Sequence, residues 1–275
     1  MACRAYHDPV SLPATFFAAV GRCLGETEVA AKLDLVRQLE DAVEAGRLTP
    51  DPAEPFTSVP AGRPERPVLV DPRSVPWRQP TSPAGRAALL HAVAHIEYSA
   101  VNLALDHVHR FRGLPADYYR AWTRVAREEA HHFELVRDRL QTLGSDYGAL
   151  PAHDELWRMA ERTSGDVLDR MALVARYHEA RGLDASPRLR DKLGGVGDHA
   201  SAAALEIIVR DEVSHVALGD RWFRHTCAAR GLEPEATFLA LLARYDVPPP
   251  RPPFNREARL AAGFTEAELE AFARA

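Results

Sequence analysis

Cysteine is scarce in this chain: three in 275 residues, Cys3, Cys23 and Cys227. A small, odd and widely spaced set makes neither a disulfide framework nor a zinc knuckle. No apolar run approaches the roughly 20 residues of a membrane span. The stretch Leu12–Val20 is short and interrupted by Pro13, which reads as an amphipathic helix rather than a signal peptide. Alternating apolar and polar segments long enough for a sheet are also missing. Charge of one sign is not in excess: 34 Lys+Arg against 39 Asp+Glu gives a net −5, which speaks against the basic surplus of an obligate nucleic-acid binder. With 46% hydrophobic and 27% charged residues, disordered and collagen-like chains are excluded. The expectation is a soluble, cytoplasmic protein with no membrane association.

What the chain has in quantity is proline, unevenly spread, and histidine. Ten of 21 prolines fall between Pro50 and Pro83, and five more between Pro248 and Pro253. Neither stretch can be helix interior or central strand. Val68, Leu69, Val70 and Trp77 give the first stretch apolar handholds, so it reads as a strap over the rest. Elsewhere the periodicity is helical. Thr15–Glu44 reads as one or two short helices closed by Gly46. Long helices are expected over about 83–111 and 115–143, stopping at Gly113 and Gly144. A shorter one is expected over 155–162, a third long one over 166–181 ending at Gly182, and a fourth over 199–230 ending at Gly231. The organisation predicted is all-α: an N-terminal helical extension over 1–49, a proline-rich strap over 50–83, a four-helix bundle over 84–231 and a C-terminal tail over 232–275 packing on it.

One motif occurs twice. Glu128-Glu129-Ala130-His131-His132 and Asp211-Glu212-Val213-Ser214-His215 each place an acid before a Glu that has a His three positions later. Positions i and i+3 share a helix face, so Glu129 with His132, and Glu212 with His215, can each hold one metal. Around Glu129 the same stripe carries Trp122, Val125, Ala126, Phe133 and Val136; around Glu212 it carries Leu205, Ile208, Val209, Val216 and Gly219. A carboxylate on an apolar stripe costs several kcal/mol to bury unless it is paired or metal-bound. The other two long helices each offer one more. Glu97 lies with Leu90, Val93, Ala100, Val101 and Ala104, and Glu179 with Leu168, Ala172 and Ala175. The separations match, 129 − 97 = 32 and 212 − 179 = 33. Two Glu and two Glu-x-x-His pairs on four helices form the donor pattern of ferritin-like di-iron and di-manganese carboxylate proteins.

Only Glu179 fits awkwardly, three residues before an expected stop at Gly182. A third helix cut short, with 183–197 climbing back, accommodates it; Glu155 and Glu161 are the fallback donors. Glu128 and Asp211 are placed to orient the imidazoles from behind. His91 and His95 lie off the Glu97 stripe and read as surface or satisfied core. His131 points away from the site. Asp106 and Arg110 read as an i,i+4 ion pair, and Arg251, Arg256 and Arg259 as a solvated face. Tyr98, Tyr118, Tyr119 and Tyr177 read as packing. Tyr177, His178 and Trp122 are candidates to line a pocket.

Several segments carry a family resemblance: His91-Ala92-Val93-Ala94-His95-Ile96-Glu97, Val125-Ala126-Arg127-Glu128-Glu129, Leu150-Pro151-Ala152-His153-Asp154, Glu179-Ala180-Arg181-Gly182-Leu183, Arg210-Asp211-Glu212 and Pro252-Pro253-Phe254-Asn255. Together they resemble an uncharacterised bacterial ferritin-like family, a domain of unknown function allied to MiaE-type tRNA hydroxylases. The resemblance covers nearly the whole chain and implies Glu97, Glu129, His132, Glu179, Glu212 and His215 as ligands of two Fe ions, with Fe/Mn and Mn/Mn as variants. Tyr177-His178 departs from it, standing where apolar residues are expected. The expected activity is O2-dependent oxidation or hydroxylation of a small organic molecule, with the dimetal centre as the catalytic group and an electron-donor protein as partner. A ferroxidase or iron-handling protein and a non-catalytic, metal-stabilised bundle binding a ligand or partner are the alternatives. A tRNA substrate stands behind these, unsupported by the charge. The expected assembly is a monomer or small homo-oligomer.

Overall fold

The structure is a computed structural model and describes residues 11–75 and 79–274; Cys3 and Trp77 lie outside them. The chain forms an all-α helical bundle, with α1 Phe16–Gly25, α2 Val29–Glu44, α3 Pro83–Arg110, α4 Ala116–Thr142, α5 Glu155–Arg162, α6 Val167–Arg170, α7 Glu179–Gly195, α8 His199–Ala229, α9 Pro234–Arg244, α10 Arg256–Ala261 and α11 Glu266–Arg274. Among the described residues the one β feature is an isolated parallel bridge between Leu69 and Ala152. The turn between α3 and α4 bends at Gly113, whose φ of 73° is left-handed backbone that glycine adopts without a Cβ penalty.

The third long helix departs from expectation. Gly182 does not end it: α6, a π-helical segment over Met171–His178 and α7 follow one another without interruption, and Pro187 lies inside α7. Local stop signals lose here to tertiary burial. Ala180, Leu183 and Leu193 of α7 are buried, and α7 packs along α8. The expected C-terminal tail contains three helices, α9 to α11. Arg259 is not on a solvated face either. It is buried and donates to the Asp184 carboxylate at 2.7 Å and the Ala180 carbonyl at 3.2 Å, because Asp184 on α7 supplies the counterion that makes its burial tolerable.

α3 also corrects the reading of apolar runs. Alone among the described helices it is long and apolar enough to cross a membrane, with a mean hydropathy of 1.2 in its most apolar window, 67% of which is buried in the bundle.

The chain sorts into two compact units. One runs to Glu65 and takes in Ala100–Ala130; the other comprises Arg66–Ser99 and the chain from His131 onward. In the first, the strap residue Glu54 satisfies the start of α1, accepting from Thr15 Oγ1 and from the Phe17 and Ala18 backbone N–H groups. Lys32 of α2 is fully buried and donates to the carbonyls of Leu24 and Gly62, both at 2.9 Å, and to Asn102 Oδ1. Three donors thus meet three neutral acceptors. Gly62 approaches so closely that a Cβ there would lie 2.0 Å from the Glu26 carbonyl oxygen, a separation only glycine permits. In the second unit, the strap pairs with the loop before α5 through Val70 N–H to Ala152 O and Ala152 N–H to Val68 O.

Candidate metal centre

Apolar stripes on three helices carry the donors inward. Leu90, Ala94 and Val101 on α3, Ala126, Phe133 and Val136 on α4, and Leu205, Ile208 and Val216 on α8 are all buried, and the carboxylates in register with them go down too. Glu97 is 4% exposed, Glu129 1%, His132 0% and Glu212 7%. One donor atom from each lies within 4.8 Å of the others. With metal–oxygen and metal–nitrogen bonds of about 2.0–2.2 Å, donors on opposite sides of one cation stand about 4–4.4 Å apart, so this spacing suits a shared ion.

His132 is oriented from behind. Its Nδ1 lies 3.5 Å from Glu97 Oε2, and its Nε2 lies 3.2 Å from Asp211 Oδ2. A carboxylate only accepts, so Nε2 carries the hydrogen toward Asp211, and in the neutral ring this leaves the Nδ1 lone pair for a metal among the carboxylates. Asp211 therefore serves the imidazole of the facing helix. Burial pushes the Asp211 carboxyl up, but the hydrogen bonds from Arg210 and His132 outweigh it and hold the pKa below the usual range.

His215 is 1% exposed, its Nδ1 3.7 Å from Glu212 Oε1 and its ring centroid 5.8 Å from that of His132. Glu179 is not one of the four clustered donors. It is half-buried at the first position of α7, and a Cβ added one turn on, at Gly182, would lie 3.9 Å from Glu212 Oε2. That turn of α7 therefore faces Glu212. Glu128 is half-buried on α4. Glu155 and Glu161 lie on α5 and neither joins the cluster among the described residues; Glu161 accepts from Trp157 Nε1.

Each pocket candidate has its own local partners. Tyr177 donates its hydroxyl to the Pro248 carbonyl at 2.8 Å and stacks edge-on against His178. Burial, with Arg181 adding, pushes His178 down to about 4. Trp122 is buried against His107 and Tyr118. His91 and His95 are satisfied core. His91 Nε2 accepts from the Gly148 N–H at 3.0 Å, and His95 reaches Tyr147 Oη at 3.0 Å and the His153 carbonyl at 2.9 Å. Asp106 and Arg110 pair at 2.8 Å as expected. The π-helical segment has no mark in the sequence, since an i→i+5 ring requires no particular residue.

Three carboxylates and an imidazole gathered out of water repel or compete unless a cation or protons reconcile them. Hard oxygen donors with one nitrogen suit a divalent first-row ion, and the absence of a thiolate from the set is unlike a structural zinc site. Glu97, Glu129, His132 and Glu212 can hold a metal ion.

An all-α helical protein with a buried carboxylate–histidine cluster is the class the fold and site define. The chain belongs to a family described as a protein of unknown function (DUF455), whose model matches residues 25–270. It is similar to an uncharacterized protein of Haemophilus influenzae, 45% identical over 217 residues that cover 76% of this chain and 75% of that one. No solved structure matches it.

Proposed function

We propose that the chain is a non-haem di-iron carboxylate protein, an O2-dependent oxidase or hydroxylase of a small organic substrate that draws electrons from a partner protein. The observation that carries this reading is the burial of Glu97, Glu129, His132 and Glu212 within one ligand-sized volume, with His215 against Glu212. In this reading Glu179 and His215 complete a second metal position. Bound iron would supply reduction of dioxygen and oxidation of the substrate. The chain's own contribution is to hold four carboxylates as charge-neutralising donors, to fix the His132 tautomer through Asp211, and to keep bulk water out with the apolar stripes of α3, α4 and α8. Two buried free thiols, Cys23 and Cys227, accord with a reducing, cytoplasmic setting. Manganese in one or both positions would use the same donors. The net charge of −5 lends a tRNA substrate no support.

Anaerobic loading with ferrous iron, followed by mixing with oxygen, tests the proposal. Two irons per chain and an oxygen-dependent near-ultraviolet band are expected, both lost in Glu129→Ala. Oxygen uptake that survives Glu129→Ala overturns the assignment. Iron oxidised without any two-electron substrate requirement, in a large hollow assembly, indicates iron handling. A metal that raises the melting temperature yet stays inert to oxygen indicates a metal-stabilised binding bundle.

A further inference from the structure

Two locally unfavourable features of the second unit meet at one point. The π-helical segment Met171–His178 packs on α8 at Gly219, where a Cβ would lie 2.7 Å from the Ala175 Cβ and 2.8 Å from both the Ala175 backbone carbon and its carbonyl oxygen. The obstruction is mostly backbone, so no side-chain rotation relieves it. Glycine within a helix is less favourable than alanine, and π-helix is rare. Both occur here, on facing helices, and each is the complement of the other: the segment swells toward α8 where α8 has no side chain.

Their position along the chain gives the pairing a purpose. The segment ends at His178, and the next residue is Glu179; Gly219 stands one helical turn beyond His215. A π turn takes in one more residue than an α turn. Each residue advances the helix by about 100°, so the segment rotates everything that follows it. Closed up into plain α-helix, the chain would swing Glu179 and Gly182 off the face that looks at Glu212. We infer that the π-helical segment and Gly219 are a matched pair that sets the rotation of α7 and brings Glu179 to Glu212 and His215. Gly219 is thus a positioning residue for the second metal. This rests on the two-metal reading above.

The test uses the full chain loaded anaerobically with ferrous iron, desalted and counted. The unmodified chain is expected to retain two irons, and Gly219→Ala and a deletion of Val174 one each, with helix content by circular dichroism unchanged. A glycine that served packing alone would lower the melting temperature and leave the stoichiometry at two, which overturns the inference. Melting without metal gives a second reading that does not depend on iron. Gly219→Ala should lower Tm by about 4–10 °C in the unmodified chain. It should cost nothing further when Val174 is deleted, because the bulge it collides with is gone. Additive penalties overturn the pairing, even where Gly219→Ala alone folds poorly. One iron in the unmodified chain overturns the two-metal reading and the positioning role together. Two irons in both the unmodified chain and Gly219→Ala overturn the positioning role alone.

Discussion

Helix α8 carries two buried acidic centres eight residues apart, and they are built on opposite plans. At Asp220, Arg176 reaches in from the π-helical segment, fully buried, donating to Asp220 at 2.6 Å and to Glu268 at 2.5 Å with Phe238 and Phe264 rings against its guanidinium. The cation is part of the chain, and Arg224 adds a second, 2.7 Å from Asp220. At Glu212 the partners drawn together are Glu97, Glu129 and His132, groups that offer lone pairs. A buried charge is tolerated when its counterion and hydrogen bonds come with it. The Asp220 centre has the form of a finished structural network, and the Glu212 centre has the form of a receptacle for a cation from solution. Burial of acid alone therefore does not distinguish a site from a strut; the chemistry of the neighbours does.

Replacing one donor breaks the comparison most sharply. Glu129→Gln should abolish metal retention and at the same time raise the metal-free melting temperature by a few degrees, since it removes a like charge from the cluster. Metal analysis and calorimetry on the same sample check both, and a metal-free protein that becomes less stable contradicts the receptacle. At the other centre, Arg176→Met leaves Asp220 and Glu268 buried without their main cation. It should cost about 3–5 kcal/mol in urea unfolding, while the iron stoichiometry of the folded fraction stays the same. Asp211→Asn keeps the hydrogen bond to His132 but removes the negative charge behind it, so metal affinity should fall about 10–100-fold with little change in stability, as read by competition with a chelating dye.

A third buried charge answers to pH and lies apart from both acidic centres. Burial pushes Lys32 down from 10.5 to about 7, with Cys23 and Glu26 opposing. Between those values the unfolded chain holds a proton that the folded chain gives up, so stability should rise with pH from 7 to 10.5 by up to about 1.4 kcal/mol per unit. Below pH 7 the charged form is present in both states and the contribution is flat. Lys32→Met should remove that slope in urea unfolding across the range; a slope that persists assigns it to another group.

The sequence was legible where residue type and period agree. Glu97, Glu129, His132 and Glu212 stand on stripes otherwise apolar, and burial of the stripe takes the carboxylate with it whatever the helix ends do. The same periodicity, punctuated by Gly113, Gly144 and Gly231, gives the bounds of α3, α4 and α8. Gly182 misled because a stop signal is local, whereas the α7–α8 contact that overrides it is not. Arg259 looked solvated because its counterion, Asp184, lies 75 residues away in sequence. Gly219 was visible only as a small residue on a stripe, since its meaning depends on a bulge in a different helix that leaves no compositional trace.

The division of the chain between its two units also orders events during synthesis. The first unit has all its parts once Ala130 has emerged, and Lys32 can meet Leu24, Gly62 and Asn102 from then on. Glu97, Glu129 and His132 are made early as well, but Glu212 follows Glu129 by another 83 residues (212 − 129). Because chains fold from the N-terminus as they are made, the first unit can assemble before Glu212 has been made. A metal held by all four donors would therefore have to wait for the chain beyond Glu212, and a nascent chain stalled before that residue would carry the other three donors without the fourth.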